Sequence, residues 1–360
     1  MRSALRNLLL AATSLLLFFG SAEIALRVTG LAPSRALRSP DLATLDAIPG
    51  LFEPGQEFID RVRRDLPSRI RIDNLGFRGR DLPERKAPST IRLLCLGDSY
   101  TFGDHVDDDQ AYPALLESDL RARRPGLGVE VINAGANGFG ILDESIFWKE
   151  KGVRLSPNVV ILTFSPNDIS DMARPALMIS GMREHAVLKS RPVVGTMIRF
   201  LQDSAVFNAM QILAARVVVA ARGHGAIPVM EPSRAGPETA PREWEAYHQA
   251  LVALGRDLRA RRLRGLLVLY PSFGNAAGTE RSFSSSILPA WADEAGFGCL
   301  DLLPEFSAAA AKGEALYLVP RDAHPGPAGH RLAADRIAAW LIASGWIEAQ
   351  AGSVSSVPDP

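Results

Sequence analysis

Short apolar runs recur along this chain, and several stop abruptly at glycine, asparagine or aspartate. Residues 91–96 (Ile-Arg-Leu-Leu-Cys-Leu) end in Gly97-Asp98-Ser99, and residues 129–132 lead into Asn-Ala-Gly-Ala-Asn-Gly138. Residues 159–164 close on Ser-Pro-Asn-Asp168, and residues 266–270 and 297–303 give two more runs. Near-continuous apolar stretches of this length mark parallel strands covered on both faces. Helical spacing over residues 243–262 and 331–342 supplies the cover. The pattern predicts an α/β fold, a three-layer α/β/α domain with a flavodoxin-like parallel sheet of about five strands. Ligands of such sheets collect beyond the carboxyl ends of the strands, which is where Ser99, Gly138 and Asn167 fall.

Gly97 lets the chain turn sharply. A helix beginning after Ser99 would aim free N–H groups and a positive dipole end at whatever the serine holds. A Gly-Asp-Ser turn can equally do no more than cap a helix, so partners elsewhere decide. Gly138 offers a backbone N–H that no Cβ obstructs, Asn167 an amide, and Arg321-Asp-Ala-His-Pro-Gly-Pro-Ala-Gly-His330 places Asp322 and His324 in one loop. A serine hydroxyl needs an adjacent base to attack at neutral pH. Histidine has the fitting pKa, and a carboxylate on its far nitrogen fixes the tautomer.

With these four blocks in order, the chain resembles the SGNH, or GDSL, hydrolase family over roughly residues 91–347. The matching residues are Gly97-Asp98-Ser99, Gly138, Asn167, and Asp322 with His324. The resemblance implies that Ser99 is the nucleophile, His324 the base and Asp322 its orienting acid. It also implies an oxyanion hole made by the N–H groups of Ser99 and Gly138 and the amide of Asn167. Two blocks depart from the family pattern. The acid stands two residues before the histidine rather than three, which resembles the Asp-x-His of the alginate-type O-acetyltransferase branch. Ser165-Pro166 precedes Asn167-Asp168 where the family has Gly-x.

The remaining histidines read as structural: His105, six residues past Ser99, as an exposed loop residue in preference to one lining the cleft, and His330 as packing at the start of the last helix. Asp322, His324 and His330 are metal-ligand types but lack a further clustered ligand in sequence. No metal and no cofactor are expected, and no phosphate-binding glycine loop is present.

The chain has 360 residues, 47% of them hydrophobic, with 40 basic and 40 acidic residues and no net charge. That is enough for a sizeable core, and no basic surplus points to nucleic acid. Arg2 and Arg6 precede an apolar run over residues 8–19 and the small residues Gly20-Ser-Ala22. Residues 1–28 are therefore a signal peptide cleaved after Ala22, or an uncleaved anchor near the roughly 20 residues that span a bilayer. The anchor is preferred; the leading arginines keep that end cytoplasmic and put the catalytic domain outside, in the periplasm. Cys95 and Cys299 read as buried free thiols on strands that are not neighbours.

Residues 29–90 form an extracytoplasmic extension in which the alternation over 69–79 predicts an edge strand or hairpin, a clasp rather than a substrate arm. The domain over 91–347 carries an insertion over about 172–242, with a helix over 197–221, read as packing on the core in preference to a lid over an acyl pocket, and a loop over 223–241. Residues 348–360 are a disordered tail. The reading is a carboxylic-ester hydrolase acting on a small-molecule or glycan ester of the envelope. Alternatives are an envelope polysaccharide O-acyltransferase and, in another class, a non-catalytic glycan-binding module.

Overall fold

The computed structural model describes residues 2–29, 37–60, 66–173, 177–221 and 236–347. Strands β1 (Glu57–Asp60) and β2 (Ser68–Arg71) pair antiparallel. Strands β3 (Thr90–Leu96), β4 (Gly128–Asn133), β5 (Val159–Phe164), β6 (Arg264–Leu269) and β7 (Phe297–Asp301) make a parallel sheet ordered β4-β3-β5-β6-β7. This is the three-layer α/β/α arrangement in flavodoxin-like order. The direction of winding reverses at β3, whose neighbours are β4 on one side and β5 on the other. A crevice opens at the carboxyl ends of strands at such a switch point.

The period-2 alternation of a strand divides β3 between two cores. Leu94 and Leu96 join one, while Ile91, Leu93 and Cys95 join the other. The first is closed by helices Ile141–Glu150, Pro241–Ala260 and Ser284–Ala295, the second by Tyr112–Arg123, Leu303–Ala311 and Pro327–Ala343. Each fully buried leucine here contributes about 1.5–3 kcal/mol.

The segment before β3 acts as a clasp. Leu51, Phe52, Ile70, Ile72 and Phe77 enter the first core. Arg92 on β3, itself buried, pairs with Glu130 at 2.7 Å and donates to the Pro83 carbonyl at 2.8 Å. Arg80 grips Glu117 with two bonds of 2.7 and 3.0 Å.

The insertion differs from expectation. It holds helices Leu177–Lys189, Pro192–Asp203 and Ala205–Ala221. The single helix expected over 197–221 breaks because the Ser204 hydroxyl accepts the Phe207 N–H at 3.2 Å, capping a new helix. Its apolar stripes do not pack on the core: Val193, Met197, Phe200, Met210 and Leu213 are exposed. Most of the loop expected over 223–241, and the tail from residue 348, lie outside the described residues.

Cys95 is buried on β3, and Cys299 on β7 is only half-buried, correcting the expectation for the latter. β5 and β6 stand between them and both are free thiols; burial pushes each up to about 12. The N-terminal helix runs unbroken over Arg2–Val28 with its apolar side chains exposed. Among the described residues it is the one helix long and apolar enough to cross a membrane.

Candidate active site

β3 delivers Ser99 to the crevice. Gly97 is required by space, since a Cβ there would lie 2.1 Å from Thr101 Oγ1. Ser99 is 3% exposed and begins a single helical turn, Ser99–Phe102, which ends at Gly103 in the left-handed region. One turn supplies little macrodipole, so the helix expected after Ser99 adds less than its sequence position implies. The Tyr100 N–H is already taken by the Asp98 carboxylate at 2.8 Å.

The loop before the last helix brings His324 Nε2 to 2.9 Å from Ser99 Oγ, and His324 Nδ1 to 2.5 Å from Asp322 Oδ1. The same Asp322 oxygen accepts the backbone N–H of His324 at 2.9 Å. This is an Asx-turn, and it explains how an acid two residues away reaches the ring. Burial alone would raise Asp322, but the hydrogen bond and charge of His324 outweigh it and hold the carboxyl down at about 2. Burial lowers His324, and Asp322, Asp104 and Asp98 more than offset it, leaving the imidazole above its ordinary value.

Gly138, in the loop after β4, adopts φ +75°. A Cβ there would sit 3.6 Å from the Met178 side chain. Asn167 follows β5 and is buried. Its amide nitrogen donates to Asp98 Oδ2 at 3.2 Å and Asp171 Oδ2 at 3.1 Å, while its oxygen accepts the Ser165 hydroxyl at 2.7 Å. In this orientation the nitrogen has two acid partners and the oxygen has the Ser165 hydroxyl. Both amide protons are thus engaged in this state.

Behind this row lie three buried carboxyls: Asp98, Glu144 and Asp168. Ser165 Oγ stands 2.8 Å from Asp98 Oδ2 and 3.3 Å from Asp168 Oδ1, as well as against Asn167. One hydroxyl proton can serve only one of these acceptors, and a proton on Asp98 or Asp168 would relieve the crowding. Burial raises all three acids, and the other carboxylates push Glu144 and Asp168 further.

Two residues near the site were not assigned chemistry from the sequence. Arg78, in the Asn74-Leu-Gly-Phe-Arg phrase, is buried and donates to the carbonyls of Phe102 (2.9 Å), Gly103 (2.5 Å) and Val106 (2.6 Å), and to Asp108 (2.8 Å). It fastens the turn after Ser99 to the clasp. His105, expected to be exposed, is half-buried at φ +64°, with Nε2 3.6 Å from Asp322 Oδ2. The signal for both is only that each lies on a segment leading into or out of the serine turn. His330 is buried, as expected for packing, and its Nδ1 accepts the Tyr112 N–H at 3.3 Å. Burial, with Arg78 and His324, takes it down to about 3. Asp322, His324 and His330 do not cluster. Among the described residues the compact group is His105, Asp322 and His324, with ligand atoms within 4.8 Å of one another. Asp322 and Ser99 already occupy both nitrogens of His324.

A cavity of about 360 Å³ opens beside Pro166, next to Asn167, with Trp244 and Phe283 on apolar walls and Asn275, Thr279 and Ser282 among the polar ones.

Solved structures similar to this chain include an acetyl xylan esterase, AlAXEase (18% identity, 70% of this chain and 100% of that one, TM-score 0.43). A two-domain esterase active on acetylated mannans matches at 16% identity over 75% of this chain and 52% of its own, TM-score 0.44. Axe2, an acetylxylan esterase from Geobacillus stearothermophilus, matches at 18% over 73% and 94%, TM-score 0.41. Likenesses this remote say nothing about substrate. No curated protein matches the chain in sequence. The family pattern described as GDSL-like lipase/acylhydrolase matches residues 95–332, a span that contains Ser99, Gly138, Asn167, Asp322 and His324, and the chain belongs to that family of serine esterases.

Proposed function

We propose that this esterase forms a covalent acyl intermediate on Ser99, taking its acyl group from an envelope ester outside the cytoplasm. Ser99 Oγ bonds to the ester carbonyl carbon as its proton passes to His324 Nε2, and Asp322 steadies the imidazolium. The carbonyl oxygen becomes anionic and is received by the N–H groups of Ser99 and Gly138 and by the Asn167 amide. His324 then returns the proton to the departing alcohol, and water repeats the sequence to free the acid. The observation that carries this reading is the line from Ser99 Oγ through His324 to Asp322, at 2.9 and 2.5 Å. A module that only bound glycans would have no use for it.

A second reading, transfer to a glycan hydroxyl, draws on the Asp322-Ala323-His324 spacing. The cavity lined by Pro166, Trp244 and Phe283 also combines an aromatic face with polar walls, which suits a sugar ring. The helix over Arg2–Val28 is read as an anchor with the esterase on the outer side. Purified protein with a chromogenic acetate ester tests the core of the proposal. Ser99→Ala should remove turnover and labelling by a fluorophosphonate while circular dichroism is unchanged; labelling that survives takes Ser99 out of the reaction. Adding an oligosaccharide acceptor separates the two readings, because only a transferase loses acyl groups faster to glycan than to water.

A further inference from the structure

Outside the N-terminal helix, the exposed large apolar side chains among the described residues gather in one segment. Val193, Met197 and Phe200 are 81, 56 and 73% exposed; Met210, Leu213 and Val217 are 57, 62 and 59% exposed. Positions 193, 197 and 200 share one face of helix Pro192–Asp203, and positions 210, 213 and 217 share one face of helix Ala205–Ala221. Away from these two helices and the first one, the exposed large apolar side chains among the described residues are Ile59, Met178, Val187, Leu188, Phe273 and Val319, none above 43%. Two whole stripes left bare mark an interaction surface.

The first helix indicates what covers them. Near its end, Glu23 accepts from the N–H groups of Ala205 (2.9 Å) and Val206 (3.0 Å) and from the Ser204 hydroxyl (3.0 Å). Arg27 pairs with Glu23 at 2.7 Å and donates to the Asp203 carbonyl at 2.7 Å. The apolar helix is therefore bolted to the joint between the two amphipathic ones. A bilayer holding residues 3–22 would lie against that joint.

We propose that helices Pro192–Asp203 and Ala205–Ala221 lie in the interfacial layer of the outer leaflet, their apolar stripes facing the acyl chains. Arg191 and Arg199, both exposed, border the first stripe and suit anionic headgroups. Gly195 is buried against the end of helix Leu177–Lys189, where a Cβ would come within 2.0 Å of the Lys189 carbonyl oxygen. That preceding helix begins at the active site, with Met178 beside Gly138 and Ile179 N–H bonded to Asp143 at 2.8 Å. The lipid contact and the mouth of the site thus belong to one helical unit. This inference rests on reading residues 2–28 as a retained anchor.

The test uses the full chain in nanodiscs of phosphatidylcholine with phosphatidylglycerol, in a C299S background. Nitroxide labels go on V193C, M197C, F200C and L213C, with E314C as an exposed control and chromogenic ester turnover as the check on folding. Labels on both stripes should be relaxed by oxygen several-fold more than by a water-soluble nickel chelate, with the reverse at position 314. Stripe labels as open to nickel as the control overturn the proposal, as do dipolar broadening or immobilisation caused by a second copy. Intact mass separates this from failure of the anchor. If the first helix proves to be cleaved, flotation of the mature chain with the same lipids as vesicles reads the surface directly. Flotation abolished by Val193→Ser with Phe200→Ser then supports it, and a chain that does not float overturns it.

Discussion

Asp322 holds His324 at two points with one oxygen atom, accepting the backbone N–H at 2.9 Å and the ring at 2.5 Å. Because a carboxylate only accepts, Nδ1 carries the proton and the lone pair of Nε2 faces Ser99. Asp322→Asn should keep the turn, since asparagine also makes Asx-turns. It would, however, present the ring with an amide and favour the wrong tautomer. Turnover is expected to fall on the order of 10⁴-fold, as in other triads, with the melting temperature little changed. Near-normal kcat would mean that another group orients the ring.

The same pair sets a pH dependence. His324 is raised above the ordinary histidine value of 6.5, so the neutral base is lost at a higher pH than for a free imidazole. kcat/KM should therefore fall on the acid side with an inflection above 6.5, and that inflection should move down in Asp322→Asn. A limb that stays in place in the variant would assign the titration to another group.

Arg78 acts on Ser99 at one remove, through the Phe102, Gly103 and Val106 carbonyls. Lysine keeps the charge but cannot reproduce the planar fork, and it leaves buried carbonyls short of donors at about 1–3 kcal/mol. Arg78→Lys should lower kcat more than it raises KM for a small ester, and should lower the melting temperature by several degrees. Unchanged kcat with reduced stability would make the residue a clasp alone.

The sheet was legible because each strand is a short apolar run with a sharp end. Ser99, Gly138 and Asn167 were legible for a related reason, since each stands where such a run stops. Arg78 and His105 were not, because their roles depend on carbonyls and a carboxylate supplied by other segments. The helix expected over 197–221 was read as packing on the core, and its apolar stripes are exposed instead. Helical periodicity shows that a face is apolar and says nothing of what covers it.

The oxyanion role proposed for Asn167 is testable, since Asp98 and Asp171 hold both protons of its amide. Asn167→Ala should reduce kcat by on the order of 10²–10³-fold. Asp171→Ala frees one proton and removes a negative charge from the neighbourhood of the forming oxyanion, so kcat should hold or rise. A loss comparable to that of Asn167→Ala would mean that Asp171 positions the amide rather than competing for it.

Glu144 is buried behind the site, and Asp98, Asp143 and Asp171 join burial in raising its carboxyl well above the usual 4.5. The unfolded chain ionises this group from about pH 4.5 upward, whereas the folded chain keeps the proton. The native state therefore binds more protons there, and stability falls as pH rises above 4.5 until the folded pKa is passed. Glu144→Gln keeps the shape and removes the titration. The variant should gain melting temperature relative to the parent as pH is raised from 5 to 9. Parallel stability curves for the two proteins across that range would show that Glu144 is ionised in the folded state and that Asp98 or Asp168 carries the buried proton.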